Sequence, residues 1–372
     1  MKLVVEKERL LKVLSRVQAI ADKRSSMAIL STVLLRASDE GIELSATDLE
    51  IGLRSRVEAE VETPGELAIP ARKFYEIIKD FPLDYIHLEE ENGWLRITSP
   101  GDEEVFFRLA CLPAEDFPSL PEIEDADLIE LEGALLAEMI SKTIFCVATE
   151  ETRFILSGIY VEQPEEEKLL RFVATDGHRL ALIDRAVEGI EDLRLTPGVI
   201  VPRKAAQEMK KIAQDHPVVQ FGLKDNQAVL ALPHLVLTAR LIDGQYPDYR
   251  AVIPQERENP LRAPRKKLLE ALKRISVLSL ERYRPVTLNV SQNMLTLVSQ
   301  HPDLGEGRER VPVVYEGEDL TLNFNAKYLI DVLEVMNSEE VEFFMRDENI
   351  PCIITGPDDQ GFLGLVMPMT SV

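Results

Sequence analysis

The sequence predicts an α+β fold assembled as a threefold internal repeat. Three observations carry that reading: two sets of apolar-periodic segments recur at near-constant spacing, short alternating runs fill the intervals, and two proline-containing stretches divide the chain near the repeat period. Self-similarity of this kind points to one supersecondary unit used repeatedly, in a curved array of six equivalent helices.

The first set of predicted helices covers residues 9–20, 134–147 and 266–278. In the earliest of them Leu10, Leu14, Val17 and Ala21 share one face, while Arg9, Lys12, Arg16 and Lys23 form a narrow stripe beside it. The second set covers 72–79, 203–213 and 327–336, and Lys73, Lys204 and Lys327 head it at intervals of 131 and 123 residues. Arg203, Lys204, Lys210 and Lys211 lie opposite Ala206, Met209 and Ile212. Lys266, Lys267, Lys273 and Arg274 stand in the same way against Leu268, Leu269, Leu272 and Ile275. One such helix is an ordinary solvated face; recurrence on equivalent helices marks a cationic surface.

Between the helices, runs at 2–5, 33–37, 41–46, 86–89, 94–99, 172–174, 181–186, 228–232, 235–240, 287–290, 294–299 and 341–345 read as strands by alternation or β-branched content. Strand clusters separated by single helices predict units in which a helix pair covers one face of an antiparallel sheet. Prolines near 112–121 and 246–264 end helices and favour extended connectors, so domains are expected at 1–122, 123–253 and 254–372.

A chain of 372 residues with 45% hydrophobic and 29% charged content is that of a globular protein of two or three domains. No stretch approaches the roughly 18 apolar residues that span a bilayer, and no signal-peptide pattern follows Met1, so a cytosolic location is expected. Cys111, Cys146 and Cys352 are isolated and odd in number, which argues against a disulfide framework or a cysteine-based metal site and for small buried hydrophobes. The net charge of −23 opposes non-specific nucleic-acid binding as a sum, but its distribution matters more. Residues 114–132 hold eight carboxylates and no basic residue, while several helices are the reverse. Asp176 and His178 with nearby Ser157 do not make a hydrolase: there is no Gly-x-Ser-x-Gly elbow, no Walker loop and no histidine cluster for a metal.

Several blocks are specific in kind and order: Thr47-Asp48-Leu49-Glu50, Ile69-Pro70-Ala71-Arg72-Lys73-Phe74, Leu112-Pro113-Ala114-Glu115-Asp116-Phe117-Pro118, Ala174-Thr175-Asp176-Gly177-His178-Arg179-Leu180-Ala181, Val201-Pro202-Arg203-Lys204, Tyr246-Pro247-Asp248-Tyr249 and Val366-Met367-Pro368-Met369. Through them the chain resembles, over its full length, the bacterial sliding clamps, the β subunits of DNA polymerase III. The resemblance implies three topologically similar clamp domains, each with two helices and antiparallel sheets, in a head-to-tail homodimeric ring with helices lining the hole and sheets outside. It implies no catalysis, no cofactor and no metal.

Geometry favours two chains. Helices packed about 8–10 Å apart would, six to a ring, leave at most about 9 Å clear once a helix width of about 10 Å is subtracted. Twelve leave about 20–28 Å, enough for a duplex whose major groove alone is about 12 Å wide.

The resemblance also implies site residues. Arg24, Arg72, Lys73, Arg203 and Lys204 would face duplex DNA and hold it without reading sequence; at Phe154 and Ile155 some relatives have adjacent aromatics that would make a second contact. Leu156, Thr175, Gly177, His178, Arg179, Leu180, Pro247, Val252, Leu365, Met367, Pro368 and Met369 would line a cleft for short peptides, with His178 and Arg179 orienting the peptide's polar end. Ala251 and Thr370 replace basic residues found in some relatives. Phe107 on one side and Val277 with Leu278 on the other would form the dimer seam. Implied partners are the clamp loader, the replicative and other DNA polymerases, and repair and replication factors carrying clamp-binding motifs, all in the bacterial cytoplasm at the nucleoid, with no membrane.

Overall fold

The computed structural model describes residues 1–21, 26–164, 168–193, 195–278, 285–301 and 303–370, apart from the side chains at 102, 103, 151 and 152. Arg24 and Lys23 therefore lie outside the described residues. One order of elements is used three times, with one extra strand, β5, in the first repeat. The first repeat runs β1 (Lys2–Glu6), α1 (Lys7–Ile20), β2 (Thr32–Ser38), β3 (Gly41–Thr47), β4 (Ile51–Val57), β5 (Glu60–Thr63), β6 (Gly65–Pro70), α2 (Ala71–Asp80), β7 (Tyr85–Glu91), β8 (Trp94–Ser99) and β9 (Asp102–Ala110). The second runs β10 (Asp127–Glu132), α3 (Gly133–Ser141), β11 (Gly158–Glu162), β12 (Leu169–Thr175), β13 (Arg179–Ala186), β14 (Val199–Pro202), α4 (Arg203–Gln214), β15 (Val218–Lys224), β16 (Gln227–Leu232) and β17 (Leu235–Arg240). The third runs β18 (Leu261–Pro264), α5 (Arg265–Ile275), β19 (Pro285–Ser291), β20 (Met294–His301), β21 (Gly305–Pro312), β22 (Leu320–Asn325), α6 (Ala326–Val335), β23 (Glu340–Phe344), β24 (Cys352–Thr355) and β25 (Phe362–Val366).

All six expected helices form, because each supplies a buried stripe at helical spacing: Leu10, Leu14 and Val17 in α1, Phe74 and Ile78 in α2, Met209 and Ile212 in α4, Leu268 and Leu272 in α5. Two of them stop early. The segment expected to be helical to 147 ends at Ser141, where the Thr143 hydroxyl donates to the Met139 carbonyl at 2.9 Å and Thr143 leaves the helical region at φ −124°. The one expected to reach 278 ends at Ile275 and continues as a 3-10 turn over Ser276–Leu278. The helices pack in sequence pairs, α1 with α2, α3 with α4 and α5 with α6. Gly133 opens α3 where it meets the end of α4: a Cβ there would sit 2.2 Å from the Ala213 carbonyl oxygen.

Four antiparallel sheets result. Two have eight strands, in the orders β10-β15-β16-β17-β4-β3-β2-β6 and β14-β11-β12-β13-β25-β24-β23-β18. The others are β5-β1-β7-β8-β9 and β21-β20-β19-β22. Each eight-stranded sheet is shared by consecutive repeats, through β17 on β4 and through β25 on β13. The chain falls into two compact units, one comprising Met1–Glu130 with Val219–Arg240, the other Leu131–Val218 with Leu241–Val372. No described helix is long and apolar enough to cross a membrane. Cys146 and Cys352 are buried, as expected, whereas Cys111 is only partly so, and burial lifts its thiol pKa to about 11.

Candidate functional site

The cleft residues come together in the second unit, around the turn that joins β12 to β13. Asp176 folds the turn by accepting, through Oδ1, the backbone N–H groups of His178 at 3.0 Å and Arg179 at 3.1 Å. The Thr175 hydroxyl donates to the Arg179 carbonyl at 2.7 Å and accepts from the Gly177 N–H at 3.1 Å. Gly177 has φ +88°, and a Cβ there would lie 2.6 Å from the guanidinium of Arg153, which itself donates to the Asp176 carbonyl.

From this turn β13 runs beside β25, placing Leu180 opposite Leu365. Both are buried, in one apolar cluster with Val173, Tyr246, Ile353 and Leu363, against which Leu156 packs half-buried. They form the floor of the cleft. The chain beyond β25 is tied down where the Met367 N–H donates to the His178 carbonyl at 2.9 Å and the Met369 N–H to the Asn323 carbonyl at 2.7 Å. Met367 and Met369 are half-buried, Pro368 is buried, and His178, Pro247 and Val252 are exposed at the rim.

A polar network holds the rim segment that carries Pro247 and Val252. The Thr175 N–H donates to the Tyr246 hydroxyl at 3.1 Å, and the Tyr246 ring stacks on Tyr160 at 4.8 Å. Buried Glu162 accepts from the Tyr249 hydroxyl and from Arg250 at 2.7 Å, while Arg171 grips Asp184 through two bonds of 2.7 Å and donates to the Tyr249 hydroxyl. Burial, reinforced by Glu162, pushes the Tyr249 phenol up to about 12. The sequence reading missed these supports, although the Tyr246-Pro247-Asp248-Tyr249 block contains two of them.

Arg179 is not placed as expected. Its guanidinium is turned inward, bonded to Asp176 at 3.0 Å, Asp331 at 2.6 Å and the Phe145 carbonyl at 2.6 Å, and stacked over Tyr328 at 4.4 Å. Its bonds tie the turn to Asp331 and to the Phe145 carbonyl, while His178 stays exposed. A cavity of about 420 Å³ opens beside it, lined by Arg153, His178, Arg203, Lys327 and Tyr328 among others.

The cationic faces are real but partly neutralised. Arg72 and Lys73 are exposed and share Glu76, each at 2.8 Å, and Lys73 first, then Arg72, holds the Glu76 carboxyl below its usual range. Arg9 pairs with Glu6 and Glu58, Lys211 with Glu208, Lys273 with Glu334 and Lys327 with Asp331. Arg203 and Lys204 open α4 directly after Pro202, Arg203 half-buried and Lys204 exposed. Of the expected seam residues, Phe107 is 40% exposed on the edge strand β9 and Val277 is 73% exposed. Leu278 lies over β21, where a Cβ on Gly307 would stand 2.9 Å from its Cδ1. Among the described residues no cluster of His, Cys, Asp and Glu could hold a metal ion.

A threefold α+β repeat with sheets shared between neighbours and basic residues along its helices defines a DNA-clamp protein. Models of the DNA polymerase III beta subunit match along the chain, the N-terminal domain at 1–121, the central domain at 130–248 and the C-terminal domain at 250–370. The beta sliding clamp of Caulobacter vibrioides is 34% identical over 381 residues, covering 99% of this chain and 100% of its own, and that of Escherichia coli K12 is 34% identical over 373 residues with the same coverage. The solved sliding clamp of Bartonella birtlesii bound to griselimycin superposes with a TM-score of 0.93 at 33% identity, and that of Caulobacter crescentus with 0.92 at 34%, both chains covered completely. The chain belongs to the beta sliding clamp family of DNA polymerase III. It functions as a DNA sliding clamp, a non-catalytic processivity subunit of the polymerase.

Proposed function

We propose that two copies of this chain close head to tail into a ring, with clamp domains at 1–122, 123–253 and 254–372, through which duplex DNA passes. One observation carries the closure. β4, β13 and β21 are equivalent strands of the three repeats, as are β9, β17 and β25. Within the chain β17 joins β4 and β25 joins β13, which leaves β9 and β21 as the remaining edges of the same kind. An open sheet edge invites a strand, and here each edge has its natural counterpart on a second copy. Phe107 on the first edge and Val277 with Leu278 beside the second supply the apolar contact.

In this ring Arg72, Lys73, Arg203 and Lys204 face the phosphates, with Arg24 expected to join them. Phosphate contacts position the duplex without reading bases, so the ring slides. The cleft around Leu180 and Leu365 takes short peptides from the clamp loader, from replicative and other polymerases, and from repair factors, in the bacterial cytoplasm at the nucleoid. That griselimycin binds a relative of the same fold supports a ligandable surface on this chain too. Sedimentation tests the closure: the reading expects twice the 42.0 kDa chain mass at micromolar concentration, and a monomer at all concentrations overturns it.

A further inference from the structure

We infer that the first compact unit carries a second copy of the peptide cleft, closed by the chain's own linker: Leu120 fills it and Arg54 holds the linker down. The inference rests on reading the Leu180–Leu365 floor as a peptide site, and it limits each chain to one open cleft for which partners compete.

The turn between β3 and β4 repeats the cleft turn bond for bond. The Thr47 hydroxyl donates to the Ile51 carbonyl at 2.9 Å and accepts from the Leu49 N–H at 2.9 Å, as Thr175 does with Arg179 and Gly177. Asp48 accepts through Oδ1 from the N–H groups of Glu50 at 3.0 Å and Ile51 at 2.7 Å, as Asp176 does from His178 and Arg179. The Arg240 N–H donates to the Glu50 carbonyl at 2.8 Å, the counterpart of the Met367 bond to His178. Each following linker carries a buried ring before a proline, Phe117-Pro118 in one and Tyr246-Pro247 in the other. With the turns aligned, the strand pairings put Gly52, Arg54 and Thr238 where the open floor has Leu180, Leu182 and Leu365.

These replacements turn a floor into a seat for the linker. Glycine at 52 bares the strand, and Leu120 reaches down to it: a Cβ at 52 would stand 2.8 Å from the Leu120 Cδ2 and 3.1 Å from the Thr238 Oγ1. The linker that carries Leu120 therefore runs where a ligand would rest on Leu180, and close packing leaves no room for both. Arg54 pins the next two residues, donating from Nη2 to the Pro121 carbonyl at 3.0 Å and from Nη1 to the two Glu122 carboxylate oxygens at 3.2 and 3.1 Å. Its Nε is buried with no hydrogen-bond partner among the described residues, so the latch is held at a cost. At the lip, Leu49 holds φ +75° and is 55% exposed, a side chain where the open cleft has Gly177.

Rebuilding the floor tests the closure. Gly52→Leu with Leu120→Ala restores the floor leucine and removes the occupant, and titration calorimetry with a synthetic clamp-binding peptide from the replicative polymerase reads the stoichiometry. The parent should bind one peptide per chain and the variant two, the added site about ten-fold weaker. One peptide per chain in a variant that melts like the parent overturns the inference, and so do two in the parent. A parent that binds none overturns the peptide reading of the Leu180–Leu365 cleft on which the inference rests. Thiol labelling of Thr238→Cys, followed site by site by mass spectrometry, decides the matter even where the rebuilt variant does not fold. Adding Leu120→Ala or Arg54→Ala should each speed that labelling about ten-fold, and an unchanged rate means that the linker does not close the site.

Discussion

Leu180 and Leu365 face each other across one antiparallel strand pair although 185 residues separate them in the chain. Their pairing makes the floor of the proposed peptide cleft a joint product of the second and third repeats. The cleft therefore depends on the same strand pairing that holds those repeats together, while its rim can vary independently.

Val252 tests the rim. It is half exposed and lies outside the floor cluster, so Val252→Asp should weaken binding of a clamp-binding peptide at least about ten-fold while changing stability by no more than about 0.5 kcal/mol. Fluorescence polarisation with a labelled peptide, beside a thermal melt, separates the two effects.

Gly177 tests the turn. With φ +88° and the Arg153 guanidinium 2.6 Å from where a Cβ would stand, Gly177→Ala should cost about 1–3 kcal/mol and weaken peptide binding together. Adding Arg153→Ala should relieve the collision but not the backbone strain, so recovery should be partial in a chemical denaturation series.

Asp359 predicts a pH dependence. Its buried carboxylate accepts from Lys142 at 2.6 Å, from the Ser338 hydroxyl at 2.6 Å and from the backbone of Asn337 and Ser338. Burial raises its pKa, but these donors outweigh burial and hold it below the ordinary aspartate value. A carboxyl depressed in the folded state adds stability above its unfolded pKa of about 4 and loses it as pH falls toward the folded value. Asp359→Asn should therefore cost about 1–3 kcal/mol at pH 7, since buried Lys142 keeps only Glu138 at 3.0 Å as an anionic partner, and visibly less near pH 3. Urea titrations at the two pH values measure the difference.

Leu278 tests the seam. Leu278→Asp would bury an unpaired charge against Phe107 of the second copy, so the variant should sediment as a monomer with its cleft intact. An unchanged mass would remove Leu278 from the interface.

Much of this architecture is legible from residue order. The six helices were readable because stripes such as Leu10, Leu14 and Val17 repeat at helical spacing, and Trp94–Ser99 and Leu235–Arg240 were readable from their alternation. β25 was not among the expected strands: Phe362–Val366 is buried on both faces and reads as an unbroken apolar run around Gly364. β21 escaped for the opposite reason, since Gly305–Pro312 is dominated by charge and its strand character comes from pairing with β20. The cleft was legible only through its motif blocks. Arg179 shows the limit: its sequence position places it at the cleft, but only the tertiary arrangement of Asp331, Phe145 and Tyr328 turns its guanidinium inward.

The cationic faces call for a functional readout beyond stability. Arg203→Ala with Lys204→Ala should flatten the salt dependence of binding to a short linear duplex by about two in log–log slope, without altering base preference.

The central claim is that this chain holds DNA by encircling it. The most direct measurement loads the protein with its clamp loader onto nicked circular DNA, raises the salt, then linearises the circle and records the fraction still bound. Retention through the salt step and loss only after cutting is the result the ring predicts. Release by salt while the circle is still closed would mean ordinary electrostatic binding and would contradict it.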